Sequence, residues 1–241
     1  KCIKYIFFLQ LLYTNNILAI EQDYRSSPEV GQPTQKKSLA EYSKNFMIVC
    51  ADKRAANAAR KILSMGGNAI DAAIAAQNVL SVVEPQSSGL GGGGFLIFYN
   101  KKFNTIEAWD GREFAPSSAK SDQYLDHKNK KMSFMDALVN PVSVGVPGLY
   151  SMLADAHSKN GNLKWDFLFT EAISYAESFK VSPRLNKMLS WAPHIKNDEY
   201  AKKIYFENNN PKTIGAVVKN IELAKSLKII SSNGYSINNG K

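Results

Sequence analysis

Arg112 is the residue whose type and setting most clearly suggest binding chemistry. It stands between two carboxylic acids in Asp110-Gly-Arg-Glu113, after a β-type run and before Ala115-Pro116. A guanidinium presents a planar fork of donors that grips a carboxylate through two parallel hydrogen bonds, which a lysine cannot reproduce. Arg112 could therefore bind an anionic substrate group, or form an internal ion pair with Asp110 or Glu113. The residue types alone favour the two equally.

A second candidate is the glycine run Gly89-Leu-Gly-Gly-Gly-Gly94, which fits the G-x-G-x-x-G fingerprint of dinucleotide sites. Such a run lies between a strand and a helix, because the pyrophosphate rests on the free N–H groups of the helix. Here a helical pattern ends near Val82 and the β-prone run Phe95-Leu-Ile-Phe-Tyr99 follows. No Gly-Lys-Ser/Thr follows either, which excludes a P-loop. Since glycine removes the Cβ and permits positive φ, we expect a tight loop beside the site rather than a cofactor loop.

Residues that could hold a metal or form a disulfide are sparse. The histidines are 30 and 37 positions apart and lack the short spacings of metal ligands. Cys50 lies in the apolar run Phe46-Met-Ile-Val-Cys-Ala51, where a free cysteine behaves as a small core residue. The sequence predicts no metal site, no cofactor and no disulfide framework.

The net charge of +9 would suit nucleic acid if the basic residues were gathered on one face. Short clusters such as Lys128-Asn-Lys-Lys131 are instead scattered among acids, without the interleaved aromatic residues of a strand-binding groove. We therefore predict a solvated basic surface and no nucleic-acid partner.

The elements that must position Arg112 follow from hydrophobic periodicity. The pattern predicts a strand at residues 47–51, a helix over 53–65 that Gly66 and Gly67 end, and a second helix over 69–82 capped by Asn68. Alanines on several faces of the second helix predict that it is central. Residues 95–99 and 105–109 are typical of a hairpin. Further helices are predicted over 149–157, 165–178, 184–191 and 221–230, so the fold class is α+β.

The N-terminal residues have the pattern of a secretory signal. Lys1 and Lys4 accompany an apolar run of about nine residues, and small residues lead to Ala19. The apolar run has about half the length that spans a bilayer, so we expect cleavage near Ala19, with a buried helix or an uncleaved anchor as the alternative. Residues 20–44 are polar and predict a flexible lead-in. The expected location is the periplasm or the exterior, without a stable membrane span.

Four blocks resemble, in order and spacing, the N-terminal part of the large subunit of γ-glutamyltranspeptidases (glutathione hydrolases). They are Gly66-Gly-Asn-Ala-Ile-Asp-Ala-Ala73, Glu84-Pro-Gln-Ser-Ser-Gly-Leu-Gly-Gly-Gly-Gly-Phe95, Asp110-Gly-Arg-Glu113 with Ala115-Pro116, and Val144-Gly-Val-Pro-Gly148. The similarity continues through later segments, so we assign residues 45–241 to this domain.

The resemblance implies an N-terminal-nucleophile hydrolase with a four-layer αββα sandwich, incomplete in this chain. Family members cut themselves into a large and a small chain, and the new N-terminal Thr attacks the γ-glutamyl amide with its own amine as base. The Arg of the D-G-R-E block holds the α-carboxylate of the γ-glutamyl group. This role transfers to Arg112, while Asp110 and Glu113 are expected to orient Arg112 rather than touch substrate.

The nucleophile block of the family has no counterpart in this sequence. Its five threonines stand in unrelated contexts, so no catalytic residue is assigned here. The implied partners are a γ-glutamyl substrate such as glutathione and the missing C-terminal part with the small subunit. Two alternatives remain: a catalytically dead remnant that at most binds γ-glutamyl compounds, and a related acylase.

Overall fold

The computed structural model describes residues 41–234. The predicted signal segment and residues 20–40 of the predicted lead-in lie outside the described residues, whereas residues 41–44 are exposed and belong to no helix or strand. Within residues 41–234, none of the helices combines the length and apolar character needed to cross a membrane. The elements in chain order are α1 (Lys53–Ser64), α2 (Ala69–Val83), β1 (Phe95–Asn100), β2 (Thr105–Asp110), α3 (Phe134–Leu138), α4 (Leu149–Asn160), α5 (Thr170–Glu177), β3 (Phe179–Lys180), α6 (Pro183–Trp191), α7 (Glu199–Tyr205), β4 (Phe206–Glu207), β5 (Asn210–Pro211), β6 (Val217–Val218) and α8 (Ile221–Asn233), with short 3-10 helices at Pro141–Ser143, Trp165–Phe169 and Pro193–Asn197.

Helix α2 is central, as its alanine-rich sequence predicts. Eleven of its 15 residues are buried, and it packs against α1, α4, α5 and the 3-10 helix Trp165–Phe169. Alanine side chains allow neighbouring backbones to approach from several sides at once. The helix therefore lies in the middle of the hydrophobic core, and α1, α4 and α5 pack around it.

The hairpin predicted from the two β-type runs is confirmed. Strands β1 and β2 pair antiparallel, with Leu96 opposite Trp109 and Tyr99 opposite Ile106. Leu96, Phe98 and Trp109 pack against the core on one face. The other face is apolar and open: the exposed fractions are 67% for Phe95, 77% for Ile97, 55% for Tyr99 and 73% for Ile106. A sheet that is apolar on both faces is typical of a layer buried between two others.

The strand predicted at residues 47–51 is not present. Ile48 and Cys50 face the core while Met47 and Val49 are exposed, so this segment has the alternation of a strand. It nevertheless pairs with no other strand within residues 41–234. The alternation of side chains determines which face of the segment is buried, but a β-strand also requires hydrogen bonds to a neighbouring strand. Burial raises the pKa of the Cys50 thiol, with a further contribution from Asp52, in keeping with its predicted place as a core residue.

The other helix predictions hold with small changes. The helix expected over 165–178 is divided into a 3-10 helix, Trp165–Phe169, and α5. Helices α3 and α7 and the short strands β3 to β6 were not predicted. Two-residue strands are too short to show periodicity in a sequence. Strands β4 and β5 pair across a tight turn, and β3 pairs with the distant β6, with Phe179 opposite Val218.

A buried carboxylate fixes the start of α2. Asn68 accepts hydrogen bonds from the N–H groups of Ile70 and Asp71, and Asp71 accepts one of 2.9 Å from the N–H of Asn68, which completes a capping box. The fully buried Asp71 carboxylate also accepts from the N–H groups of Asn162 at 3.1 Å and Leu163 at 3.2 Å. One side chain therefore links the start of α2 to the segment that follows α4.

Replacing Asp71 with Ala is expected to destabilise the chain by at least about 3 kcal/mol, because three backbone N–H groups would lose their acceptor in the interior. The free energy of unfolding in denaturant measures the effect. The matched control is Asp122→Ala at an exposed turn, where the change should stay within about 0.5 kcal/mol. Equal effects of the two substitutions would contradict the role given to Asp71.

Candidate functional site

The loop that carries Arg112 is held by backbone hydrogen bonds on both sides. Before it, Gly111 and Gly94 exchange N–H···O bonds of 2.9 and 3.1 Å, which continue the β1–β2 pairing. After it, Phe114 and Val146 form an antiparallel bridge, with an N–H···O bond of 2.9 Å from Val146. Arg112 is thus placed by main-chain contacts to two segments that are distant in sequence.

Arg112 lines an open cleft of about 820 Å³. Phe114 contributes to the cleft from the same loop, and Trp109 from the end of β2. Helix α4 contributes Ser151 and Asp155, which are one turn apart and so project from the same face of the helix. The cleft therefore combines one cation, one carboxylate from a helix and an aromatic wall.

The guanidinium of Arg112 has no hydrogen bond or ion pair to any of residues 41–234, and its side chain is exposed at the cleft. Its backbone N–H donates to Asp110 Oδ1 at 2.9 Å. The internal ion pair that the sequence left open is therefore not formed with Asp110 or Glu113 in the described part of the chain. An unpaired guanidinium is a donor group available to a planar anion.

The two acids beside Arg112 take different positions. The carboxylate of Asp110 accepts a hydrogen bond from the backbone N–H of Arg112 and so stabilises the turn at this position. It makes no hydrogen bond to the guanidinium. The Glu113 side chain lies over the glycine run, where a Cβ on Gly93 would overlap its Oε2. Glu113 also lines two smaller cavities of about 420 and 440 Å³, and glycines of the run contribute to both. That either acid orients the Arg112 guanidinium stays a prediction.

Close contact with other residues explains the need for glycine only at Gly93, near the C-terminal end of the run. Strand β1 begins at Phe95 directly after the run, as predicted, so the order of elements is not that of a dinucleotide site. No glycine of the run has positive φ. A Cβ on Gly93 would lie 2.7 Å from Gly111 O, whereas Gly89 and Gly91 have open space within 4 Å of that position. The expected tight packing therefore applies to Gly93 and not to the whole run.

The sequence did not predict the contacts among Trp109, Asp155 and Lys159 at the cleft. The indole N–H of Trp109 donates to Asp155 Oδ2 at 2.8 Å. Lys159 Nζ lies 3.6 Å from the same oxygen and 5.6 Å from the centre of the indole ring. The spacing of Asp155 and Lys159 indicates an i,i+4 pair on a helix, but no local signal connects them to Trp109.

A second overlooked feature holds the start of the glycine loop. Glu84 is only 2% exposed. Its Oε2 accepts hydrogen bonds of 2.6 Å from Arg184 Nε and from Gln86 Nε2. Ser87 and Ser88 donate their N–H groups to the Glu84 carbonyl oxygen. The ion pair ties this loop to α6. The Glu-Pro pair at the end of an apolar helix was visible in the sequence, but its cationic partner was not.

Among residues 41–234, no group of three or more His, Cys, Asp or Glu side chains is arranged to hold a metal ion. His157 instead belongs to the Asp71 region, with Nε2 2.9 Å from the carbonyl oxygen of Leu163 and 3.6 Å from Asp71 Oδ1. Its ring packs edge-on against Trp165 at 5.2 Å. These contacts are those of a structural histidine.

Comparison with known proteins gives one consistent family. The model for the family Gamma-glutamyltranspeptidase matches residues 55–238. The Glutathione hydrolase proenzyme of Bacillus subtilis strain 168 is 35% identical over 204 residues, which cover 82% of this chain and 35% of the relative. Glutathione hydrolase 3 of Arabidopsis thaliana is 36% identical over 194 residues, or 80% of this chain and 30% of the relative. The chain thus spans about a third of the length of these curated relatives.

Solved structures agree with the sequence matches. Gamma-glutamyltranspeptidase of Helicobacter pylori superposes with a TM-score of 0.76 at 29% identity, over 81% of this chain and 56% of that one. The Pseudomonas nitroreducens enzyme, solved with L-DON, gives a TM-score of 0.71 at 35% identity, over 80% and 56%. These likenesses confirm the predicted fold class: the chain is α+β and forms part of the αββα sandwich of N-terminal-nucleophile hydrolases.

Proposed function

The chain belongs to the gamma-glutamyltranspeptidase family, and from that membership we propose that it is the N-terminal part of the large subunit of an enzyme that cleaves γ-glutamyl amides such as glutathione. In this role it binds the γ-glutamyl group, and the acyl group passes to water or to an amino acid. Residues 45–241 make up this part of the domain.

The observation that carries the proposal is the position of Arg112. Its guanidinium is unpaired within residues 41–234, lies at the cleft, and stands on a loop held by backbone bonds at Gly111 and Phe114. A pre-positioned guanidinium can hold the α-carboxylate of a γ-glutamyl group through two parallel bonds. Because the carboxylate is remote from the scissile amide, this contact orients the substrate without taking part in the bond changes.

The reacting atoms come from outside these residues in this proposal. The hydroxyl of an N-terminal Thr, supplied by polypeptide beyond residue 241, attacks the γ-carbonyl carbon, and the α-amine of that Thr takes the proton. The same proton is delivered to the departing amine as the amide C–N bond breaks. Water or an acceptor amine then attacks the ester and releases the Thr hydroxyl.

The same missing polypeptide accounts for the open face of the hairpin. Phe95, Ile97, Tyr99 and Ile106 form an exposed apolar surface on a two-stranded sheet. In a sandwich, the inner faces of the two sheets pack on each other and bury such residues. We assign this face to contact with the second sheet, which the remaining part of the enzyme would complete. The chain alone is then expected to be prone to aggregation.

A related acylase is the second candidate. A cephalosporin acylase from Bacillus halodurans superposes with a TM-score of 0.63 at 28% identity. An unpaired guanidinium would suit any acyl group that ends in a carboxylate, a glutaryl group included. Comparing the kcat/KM of the full-length protein for γ-glutamyl and glutaryl amides separates the two, since only the γ-glutamyl group carries an α-amine next to its carboxylate.

Export is proposed from the N-terminal residues. If residues 1–19 are a signal peptide, the mature protein recovered from the periplasm or the medium should begin immediately after about Ala19. N-terminal sequencing of the exported protein measures this. Recovery of the protein only inside the cell, with Lys1 to Ala19 intact, would count against export.

Replacing Arg112 with Lys in the full-length protein is expected to raise KM for a γ-glutamyl amide, because the two-bond grip is lost. The cost is on the order of 2 to 5 kcal/mol for a pair that is buried in the substrate complex. The change in kcat should be smaller, since the contact is made equally in the ground and transition states. Steady-state kinetics provide the measurement. Arg60→Lys on the exposed surface of α1 is the matched control. An unchanged KM for Arg112→Lys would contradict the assignment.

The 241-residue chain on its own is expected not to hydrolyse a chromogenic γ-glutamyl amide, because the proposed nucleophile is absent from it. Adding the polypeptide that carries the family's Thr block should restore turnover. Release of the chromophore over time measures both. Steady turnover by the chain alone would show the nucleophile assignment to be wrong, and failure of the complete protein to turn over would favour a noncatalytic remnant.

A further inference from the structure

Three glycines, Gly93, Gly94 and Gly148, lie close to the carbonyl oxygen of Gly111. Gly111 O, in the residue before Arg112, accepts the N–H of Gly94 at 3.1 Å. A Cβ on Gly93 would lie 2.7 Å from that oxygen, and a Cβ on Gly148 would overlap it. The Cβ on Gly148 would also lie 2.7 Å from Gly111 C and 2.8 Å from Arg112 O. All of these are backbone atoms, which cannot rotate away as a side chain can.

The contact is close from the loop side as well. A Cβ on Gly111 would lie 2.6 Å from Met152 Cβ and 3.0 Å from Gly148 O. Gly111 is buried although Arg112 beside it is exposed. The loop therefore lies directly on the first turn of α4, against the Met152 side chain and the Gly148 backbone.

Backbone conformation does not explain the glycine at position 148. Gly148 has φ −111° and ψ −16°, which any residue can adopt. It is the N-cap residue of α4 and makes no side-chain capping bond, although Ser, Asn or Asp would cap the helix better. What requires glycine here is the space occupied by Gly111 and Arg112.

Gly89 and Gly91 provide the contrast within the glycine run. Neither has an atom within 4 Å of the position a Cβ would take, and neither has positive φ. A methyl group added at these sites meets nothing. Close approach therefore distinguishes Gly93 from Gly89 and Gly91 within the run. At Gly148 the nearest atoms belong to the backbone of Gly111 and Arg112, whereas at Gly145 the nearest atom is the Glu113 Cβ at 2.9 Å.

We propose that Gly148, assisted by Gly93, is a positioning residue that sets where the Arg112 guanidinium stands in the cleft. This inference rests on the proposed function of Arg112. A Cβ at position 148 pushes the Gly111–Arg112 backbone away from α4, and the guanidinium moves with it. Binding groups tolerate little displacement, since an error of about 1 Å in placement can cost on the order of 100-fold.

The test is a double-substitution cycle in the full-length protein. Gly148→Ala is expected to raise KM for a γ-glutamyl amide by about 10- to 100-fold, with a smaller change in kcat. In the Arg112→Lys background, the same substitution should raise KM by no more than about twofold, because its effect passes through the guanidinium. Gly89→Ala, where a Cβ has open space, is the matched control and should leave KM unchanged in both backgrounds.

Each outcome decides the matter. The positioning role is wrong if Gly148→Ala leaves KM unchanged, or if it raises KM equally in both backgrounds. In either case, a raised KM in Arg112→Lys still supports the proposed function of Arg112. If Arg112→Lys itself leaves KM unchanged, the proposed function is wrong and the positioning role fails with it. Should Gly148→Ala not fold, the same cycle with Gly93→Ala replaces it, since its Cβ would meet the same carbonyl oxygen.

Discussion

The carboxylate of Asp71 is the constraint on which the described structure depends. It closes the capping box at the start of α2 and accepts N–H groups from Asn162 and Leu163, which lie 91 and 92 positions away. A buried carboxylate must be bonded on every side, so these contacts leave little freedom to the segment after α4. The far end of α4 meets the Arg112 loop at Gly148. One buried charge thus helps to decide where a guanidinium stands at the other end of a helix.

Arg112 is a cation at the cleft that has no acidic partner among residues 41–234. Asp110 bonds a backbone N–H, Asp155 bonds the indole of Trp109 and lies near Lys159, and Glu84 is paired with Arg184. Asp110, Asp155 and Glu84 therefore each have a partner within residues 41–234, whereas the exposed Glu113 carboxylate has none there. Arg112 is exposed at the cleft without such a partner there. An arginine that is held in place by its backbone while its side chain is unpaired fits the proposed substrate contact better than a role in stability, since exposed ion pairs contribute little to folding.

The β1–β2 hairpin has one face packed on the core and one apolar face exposed. The face that packs on the helices supplies Leu96, Phe98 and Trp109 to the core, while the opposite face exposes aromatic and branched side chains. Isolated hairpins are marginal in water, and this one is stabilised by the helices on one side only. The extended segment with Ile48 and Cys50 has the same character: it has the alternation of a strand and no pairing edge among the described residues. Both features fit a chain that spans about a third of the length of its curated relatives.

The sequence by itself determined the features that depend on neighbours along the chain. Asn68 indicated the start of α2, alanine content indicated its central place, and two β-type runs indicated the β1–β2 hairpin, because caps and periodicities are local. The ordered blocks around Gly66, Glu84, Arg112 and Gly148 gave the family. The tertiary structure alone decided that the Arg112 guanidinium is unpaired with Asp110 and Glu113, and that Glu84 pairs with Arg184, 100 positions away. It also decided that Gly148 touches Gly111 and that residues 47–51 remain unpaired. Such contacts depend on which surfaces meet after packing, and no spacing within a segment encodes them.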